Sequence, residues 1–337
     1  MDRDRPSRAS IHARLDAALA QLHDNLGGLP TRRQAAYVWD GIWHEEAHHS
    51  TALEGNTLVL REVEHLLDSN RALGAKTLTE YAEAKGYGAA ATWVYGQARE
   101  PGEWSTGQLI TMTEIRRIHH ELMAPVWAFD PHPDATEREA PGPLGEHDIH
   151  PFEQGMTPPS WPLVPAELAA WVDGVNSGVL ERGDGPLPER LAKMHNDAER
   201  IHPFVDRNGR TGRLVMNLLL VRLDHPPVII LKKQRDRCLD AMGKADVGDY
   251  DPLGELLARA MIDNLNRFIL PSIAGPAKLV PLAALSDMAL SVAALRLAAS
   301  KGRLDAEKRS DGQWLSSRAA VETYKASRKH AGRQPLE

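Results

Sequence analysis

The chain has 337 residues, 42% hydrophobic and 26% charged, with a net charge of −6. This is a soluble globular composition, long enough for one large domain with a small companion or for two to three ordinary domains. A single cysteine, Cys238, excludes an intramolecular disulfide and points to a reducing, cytoplasmic setting, while no apolar run approaches the roughly 18–20 residues that span a bilayer and "MDRDRPSRAS" lacks the apolar stretch of a secretory signal.

Most of the chain reads as helix, which predicts an all-α protein. "RASIHARLDAALAQLHDNLGG" has apolar residues at three-to-four spacing and stops at a glycine pair. Residues 31–54 form a second amphipathic candidate ended by Gly55, within an N-terminal helical region taken as 1–100. A core domain, taken as 101–275, opens with "STGQLITMTEIRRIHHELMAP". This helix is expected to start on the capping residues Ser105 and Thr106 and to end before Pro125. Residues 124–163 break the pattern, being rich in Pro, Gly and His, and a loop of that length inside a domain is usually functional. A short β-hairpin is predicted near Asp148–Met156. "VPAELAAWVDGVNSGVL", "PLPERLAKMHNDAERI" and "DPLGELLARAMIDNLNRFIL" then each begin at or near a proline, as a first helical turn permits.

After Pro276 charge and pattern change together. Residues 277–337 hold eleven Lys and Arg against six Asp and Glu, leaving 29 against 40 for the rest of the chain. A basic tail on an acidic body suggests a separate module with its own partner. "LAALSDMALSVAALRLAASKG" reads as two short helices around a tight turn, the second capped by Gly302. "RLDAEKRSDGQWL" reads as two strands joined by an Asp-Gly turn, followed by a helix from about Ser317 to Arg328. This order resembles the small winged-helix modules of the MerR and excisionase type. The resemblance implies DNA as a partner, with Arg296, Lys301, Lys308 and Arg309 as phosphate or base contacts. The alternative is a helical cap on the main domain.

The segment richest in chemistry is "RIHPFVDRNGRTGRLVMNLLLV", residues 200–221. One helix is predicted to end near Ile201 and a second, strongly apolar from Leu214 onward, to begin near Asn208. The loop between them carries His202, Asp206, Asn208 and Arg210. Backbone N–H groups at a buried helix start need acceptors, and Gly209 allows close approach, an arrangement that binds an anion such as phosphate. Arg210 and Arg213 fall on neighbouring positions of one helical face and oppose the helix dipole, which makes sense if they meet a polyphosphate. Asp206 is a hard oxygen ligand suited to Mg²⁺ beside phosphates. His202 precedes a proline, so its backbone is expected to be extended, and it could accept a proton near neutral pH.

This segment resembles the Fic family signature HPFx[D/E]GNGRxxR. Eight of its nine specified positions match: His202, Pro203, Phe204, Asp206, Asn208, Gly209, Arg210 and Arg213. The resemblance implies a helical domain that transfers AMP from ATP to a hydroxyl of a target protein. His202 would be the general base and Asp206 the Mg²⁺ ligand. Asn208, Gly209 and Arg210 would cradle the phosphates, and Arg213 would hold the γ-phosphate. Phe204 is read as a core residue that anchors the loop. The stretch 141–163 sits where family members carry a flap that registers the target by strand pairing, with Ile149, His150 and Phe152 as its candidates here. The ninth position is Arg207 instead of glycine. That bulky cation would strengthen polyphosphate binding, face solvent, or alter which phosphate is presented.

Many Fic proteins also carry an inhibitory [S/T]xxxE[G/N] motif, whose glutamate pairs with the second arginine. "STALEG", Ser50–Gly55, matches it, which implies self-inhibition through Glu54 and Arg213. A carboxylate at a helix C-terminus opposes the dipole by roughly 0.3–1 kcal/mol, so a partner arginine explains its position. The same stretch contains His44, Glu45 and His48 at the H-E-x-x-H zinc-protease spacing. Thr51 stands where the extended form of that motif needs a glycine, and this reading is the weaker one. His119, His120, His147 and His150 show no metal-ligand spacing and are read as surface or core residues. The expected partners are thus ATP with Mg²⁺, a target protein and DNA, with a homo-oligomer also compatible and no membrane. The enzymatic alternatives are another transfer, or AMP removal, on the same scaffold, and the non-enzymatic one is a nucleotide-sensing DNA-binding regulator.

Overall fold

A computed structural model describes residues 6–31, 35–97, 108–149, 156–275, 278–309 and 311–331. The N-terminal part folds as α1 (Arg8–Leu26), α2 (Ala36–Leu53), α3 (Leu60–Ser69) and α4 (Leu78–Gly96). The central part holds α5 (Met112–Trp127), α6 (Val164–Asn176), α7 (Val179–Arg182), α8 (Leu187–Ile201) and α9 (Asn208–Arg222). Then come α10 (Arg235–Ala245), α11 (Asp251–Asn264), a π turn at Leu265–Ile269 and α12 (Leu270–Ile273). The C-terminal part contains β1 (Val280–Pro281), α13 (Val292–Ser300), β2 (Ala306–Lys308), β3 (Trp314–Ser316) and α14 (Arg318–Ala331). The fold is therefore mostly helical with one small sheet.

Local chemistry sets the helix boundaries. Ser7 caps α1 by accepting from the Ser10 amide, and Gly27 ends that helix at φ 78°. The start of α4 is a reciprocal capping box between Thr77 and Glu80. Gly55 turns the chain out of α2 at φ 103°, a conformation that costs glycine little. A large apolar core runs from Ile11 to Ala284 and is shared by segments 1–100 and 101–275. α9 is its central strut, with Leu214, Leu218, Leu219, Leu220 and Val221 all buried. That rigid centre holds the loop preceding α9 in a fixed place.

A second, smaller core gathers Leu282, Leu290, Leu295, Ala298, Leu304, Val321 and Tyr324. Its sheet is antiparallel with order β1-β3-β2, and Ala306 opposes Ser316. The predicted Asp-Gly hairpin and final helix are present.

Three expectations need correction. α5 is capped by Thr111 with Glu114 at N3, not at Ser105 and Thr106, which lie outside the described residues. It also continues past Pro125, where the amide of Ala128 bonds to the Ala124 carbonyl and Val126 is buried. Packing thus holds the last turn although proline removes one hydrogen bond from it. The first helix predicted after Pro276 is a four-residue 3-10 turn, Leu282–Leu285, because Ser286 is extended and the Asp287 carboxylate takes the Ala289 and Leu290 amides into a turn of its own. The predicted flap hairpin, including His150 and Phe152, falls largely on residues 150–155, outside the described residues. Ile149, just before them, lines the cleft described next.

Candidate active site

A cleft of about 910 Å³ opens above the loop between α8 and α9. His202, Asp206, Arg207, Asn208, Gly209, Arg210 and Arg213 line it, with Glu54 facing them from the end of α2. Ile230, Cys238, Leu239 and Met242 form an apolar wall. Sequence positions far apart thus converge on one cavity.

His202 closes α8 in a left-handed conformation, φ 49° and ψ 57°. The extended backbone expected before Pro203 is not adopted. The pre-proline restriction excludes mainly the right-handed helical region, and the left-handed residue turns the chain sharply out of the helix. Its Nδ1 lies 3.3 Å from the Glu199 carbonyl oxygen. With Nδ1–H donating to that oxygen, the ring's lone pair is on Nε2. Burial lowers the His202 pKa below its usual value, and the nearby Glu199 carbonyl and Asp206 only partly counter this. The imidazole is therefore neutral at physiological pH and able to accept a proton.

The loop is braced from inside. Phe204 is fully buried and stacks on the ring of His119 at 3.8 Å between centroids. The Asn208 side chain accepts from the Phe204 amide at 2.9 Å and donates to the Phe204 carbonyl at 2.7 Å. Asn208 thus acts as a staple across the loop. His119 accepts from the Gly142 amide at 3.0 Å through Nδ1, so its Nε2–H points to the Asp206 carbonyl, 3.3 Å away. Burial drives the His119 pKa down to about 3, which keeps the ring neutral in this role. Gly145 bonds through its amide to the Pro203 carbonyl at 2.9 Å, which seats the 141–149 segment against the loop.

The arginines of the loop and of α9 go to different partners, although Arg210 and Arg213 were expected to act from one face. Arg210 Nη1 and Arg207 Nη1 both reach Glu83 Oε1 on α4, at 2.9 and 3.1 Å. Asn56, two residues after Glu54, donates to the other oxygen of Glu83 at 3.0 Å. Arg213 instead turns to α2, donating through Nε to Ser50 Oγ at 2.7 Å and through Nη2 to Glu54 Oε1 at 2.8 Å. A Cβ on Gly209 would lie 3.1 Å from Glu54 Oε1 and 3.3 Å from Arg213 Nη1, so glycine makes room for this pair. Withdrawal from solvent would raise the Glu54 pKa, but the Arg213 guanidinium outweighs that and holds the carboxyl below its ordinary value. For Asp206 burial likewise works against ionisation, and Arg207 and Arg210 together more than offset it.

The alternative zinc triad disperses. His44 faces Asp68 at 3.3 Å, Glu45 pairs with Arg267 at 2.7 Å, and the ring of His48 packs on that of His49. Among the described residues no group of three or more His, Cys, Asp or Glu side chains is placed to hold a metal. Glu83 and His119 were not identified as site residues from the sequence, because nothing near them in the chain resembles a motif.

Residues 109–220 match the sequence profile of the Fic/DOC family. The chain is 29% identical over 259 residues to a protein adenylyltransferase Fic of Culex quinquefasciatus, which covers 77% of this chain and 44% of that protein. The chain therefore spans less than half the length of such curated relatives. In fold, it resembles a Fic domain containing signaling protein from Bacteroides thetaiotaomicron, with TM-score 0.61, 21% identity, 78% of this chain and 95% of that one. Fic-1 from C. elegans gives TM-score 0.61 at 23% identity over 77% of this chain and 70% of that one. The matched residues take in α5 to α8 and nearly all of α9, and Glu54 approaches them from the end of α2, outside the match.

Proposed function

We propose that this chain is a protein adenylyltransferase restrained by its own Glu54. The observation that carries this reading is the convergence of His202, Asp206 and the first turn of α9 on one cleft of a Fic domain. A Ser, Thr or Tyr hydroxyl of a target protein gives its proton to His202 Nε2 while its oxygen bonds to the α-phosphorus of ATP. The bond from that phosphorus to the bridging oxygen of the β-phosphate breaks, and pyrophosphate leaves. Backbone amides at the start of α9, with Arg210, stabilise the charge on the phosphates. The wall of Ile230, Leu239 and Met242 offers the base an apolar surface. Asp206 is the carboxylate of the cleft that could hold Mg²⁺ beside phosphates, although both its oxygens already meet N–H or guanidinium groups of the chain. When bound there, Mg²⁺ would supply neutralisation of phosphate charge. Target backbone pairs beside Ile149, where a flap would lie.

Glu54 occupies the Arg213 guanidinium that the γ-phosphate would otherwise engage, with Ser50 holding the same arginine from the preceding turn. We further propose that residues 1–100 carry this brake, that 101–275 form the catalytic body and that 277–337 form a separate module.

Glu54→Gly is expected to raise labelling of the protein by AMP from ATP at least about tenfold, the scale of one charge-assisted arginine–carboxylate contact. Adding His202→Ala should abolish the label. If the Glu54→Gly protein binds ATP and transfers nothing, the reading fails. Intact-mass measurement separates added AMP from added phosphate, the product of the alternative transfer.

The C-terminal module favours a second, compatible role in DNA binding. Arg296, Lys301, Lys308 and Arg309 are all exposed on it, and Arg296 lies on α13 beside the exposed Leu297. Replacing Arg296 and Lys301 by alanine should weaken duplex DNA binding and flatten its salt dependence by about two phosphate contacts. Wild-type protein that shows no salt-sensitive DNA binding would leave the module as a helical cap.

A further inference from the structure

Arg207 departs from a loop signature that its neighbours follow, and its side chain lies against a carboxylate rather than in solvent. Asp206 Oδ1 accepts the Arg207 backbone N–H at 2.6 Å, and Asp206 Oδ2 lies 3.4 Å from Arg207 Nη1. Arg210 Nη2 adds a longer contact of 4.0 Å to Oδ1. Both oxygens of the carboxylate best suited to a hard cation are therefore already met by cationic or N–H groups of the chain. We propose that Arg207 is a built-in cation at Asp206 that takes over part of the work of a divalent metal, so that this chain binds the phosphates of a nucleoside di- or triphosphate with little dependence on Mg²⁺. The inference rests on the nucleotide reading above.

Three features support it. First, Arg207 is held where it is. It occupies the left-handed region at φ 61° as the N-cap of α9, and its side chain is only 5% exposed. Its Nη1 is fixed on Glu83, which is itself anchored by Asn56. The guanidinium cannot swing into solvent without breaking that ion pair.

Second, a divalent metal and this guanidinium compete. Mg²⁺ takes a carboxylate oxygen directly at about 2.0–2.1 Å and keeps its waters in a strict octahedron. A guanidinium at 3.4 Å from the same oxygen shares its lone pairs and repels the metal. The permanent charge of arginine makes that competition independent of pH.

Third, the pair of arginines brings its charge to the cleft already balanced. Arg207 and Arg210 both line the cleft and share Glu83 Oε1 as a partner. The two guanidinia are balanced by Glu83 and Asp206, so the cluster needs no metal to be neutral before phosphate arrives. Asp206 remains 35% exposed on its side chain, which leaves it open to phosphate-bound water.

The test is calorimetric binding of ADP to the full chain, once in EDTA and once in Mg²⁺. ADP lacks the γ-phosphate that Glu54 would oppose. Wild-type affinity should differ by less than about threefold between the two buffers, whereas Arg207→Gly should lose at least about tenfold in EDTA and recover in Mg²⁺. Glycine suits the left-handed backbone at this position, and ADP binding of the variant in Mg²⁺ reports that its site is intact. Arg207→Lys keeps the charge without the planar fork and should fall between the two. Titration with Mn²⁺ followed by electron paramagnetic resonance should show tighter metal binding to Arg207→Gly than to wild type, with no nucleotide present. A wild-type loss of tenfold or more in EDTA overturns the proposal, whatever the variants do. So does an Arg207→Gly protein with wild-type metal dependence. Absence of ADP binding to wild type in both buffers removes the nucleotide reading itself and this inference with it.

Discussion

Asn208 illustrates how one side chain can brace a whole loop. Its amide closes the loop by satisfying the Phe204 N–H and carbonyl together, and it is only 5% exposed. Asn208→Ala leaves those backbone groups buried without partners. The expected loss is about 1–3 kcal/mol of stability, read from chemical denaturation, accompanied by loss of AMP transfer. In the proposed reaction His202 would set the pH dependence of transfer. Its pKa is lowered by burial, so the neutral, basic form persists to more acidic pH than in a free histidine. In the Glu54→Gly protein the rate should therefore hold steady from pH 8 down to the unperturbed value of about 6.5 and fall only below it. A rate that halves above that value would show that another group controls the proton. Both residues were legible in the sequence because their motif is local, spanning a loop and one helical turn. The left-handed turn at His202 was not, since a pre-proline position restricts the backbone without specifying this choice.

At the scale of elements, α2 and α9 meet along a polar seam. Glu46, Ser50 and Glu54 are spaced by four on α2, while Arg213 and Asn217 are spaced by four on α9. Asn217 Nδ2 donates to Glu46 Oε1 at 2.8 Å, Tyr87 donates to the same oxygen at 2.7 Å, and Tyr95 donates to the other. Burial pushes the Glu46 carboxyl up to about 7 despite these donors. A carboxyl whose folded pKa is raised above its unfolded value of 4.5 favours the folded state at low pH. That contribution is fully present below pH 4.5 and is lost as pH rises through 7. Glu46→Gln removes the titration while keeping a polar side chain of the same shape. Its stability relative to wild type should therefore rise between pH 5 and 8, as followed by thermal unfolding. A difference that stays constant over this range would mean that Glu46 does not titrate there. Glu54 was identified from the sequence through its short motif. Glu46 was passed over, since a buried polar position within a His- and Glu-rich helix looks no different from an exposed one until α9 is placed against it.

Across the whole molecule, two apolar cores divide the chain. The large one carries the cleft and includes Val280 of β1, and the small one holds β2 and β3 with α13 and α14, with Leu285 packing against both. Leu295 is fully buried in the small core. Leu295→Ala should cost about 2–5 kcal/mol there, seen as earlier unfolding of the C-terminal part. ADP binding by the cleft should be unchanged, and a parallel loss of binding would show that the two cores unfold together. Among the described residues no helix is long and apolar enough to cross a membrane.

The sequence by itself determined the helical class, the loop that carries His202 to Arg213, and the short motif that holds Glu54. Each is written in residues close together in the chain, where spacing and turn chemistry act. Only the tertiary structure decided which charges meet. Arg213 reaches Glu54 over a separation of 159 residues, and Arg207 reaches Glu83 over 124. Such pairings depend on how α2 and α4 pack on α9, and that packing is driven by burial of apolar faces, which carries no record of the polar partners it brings together.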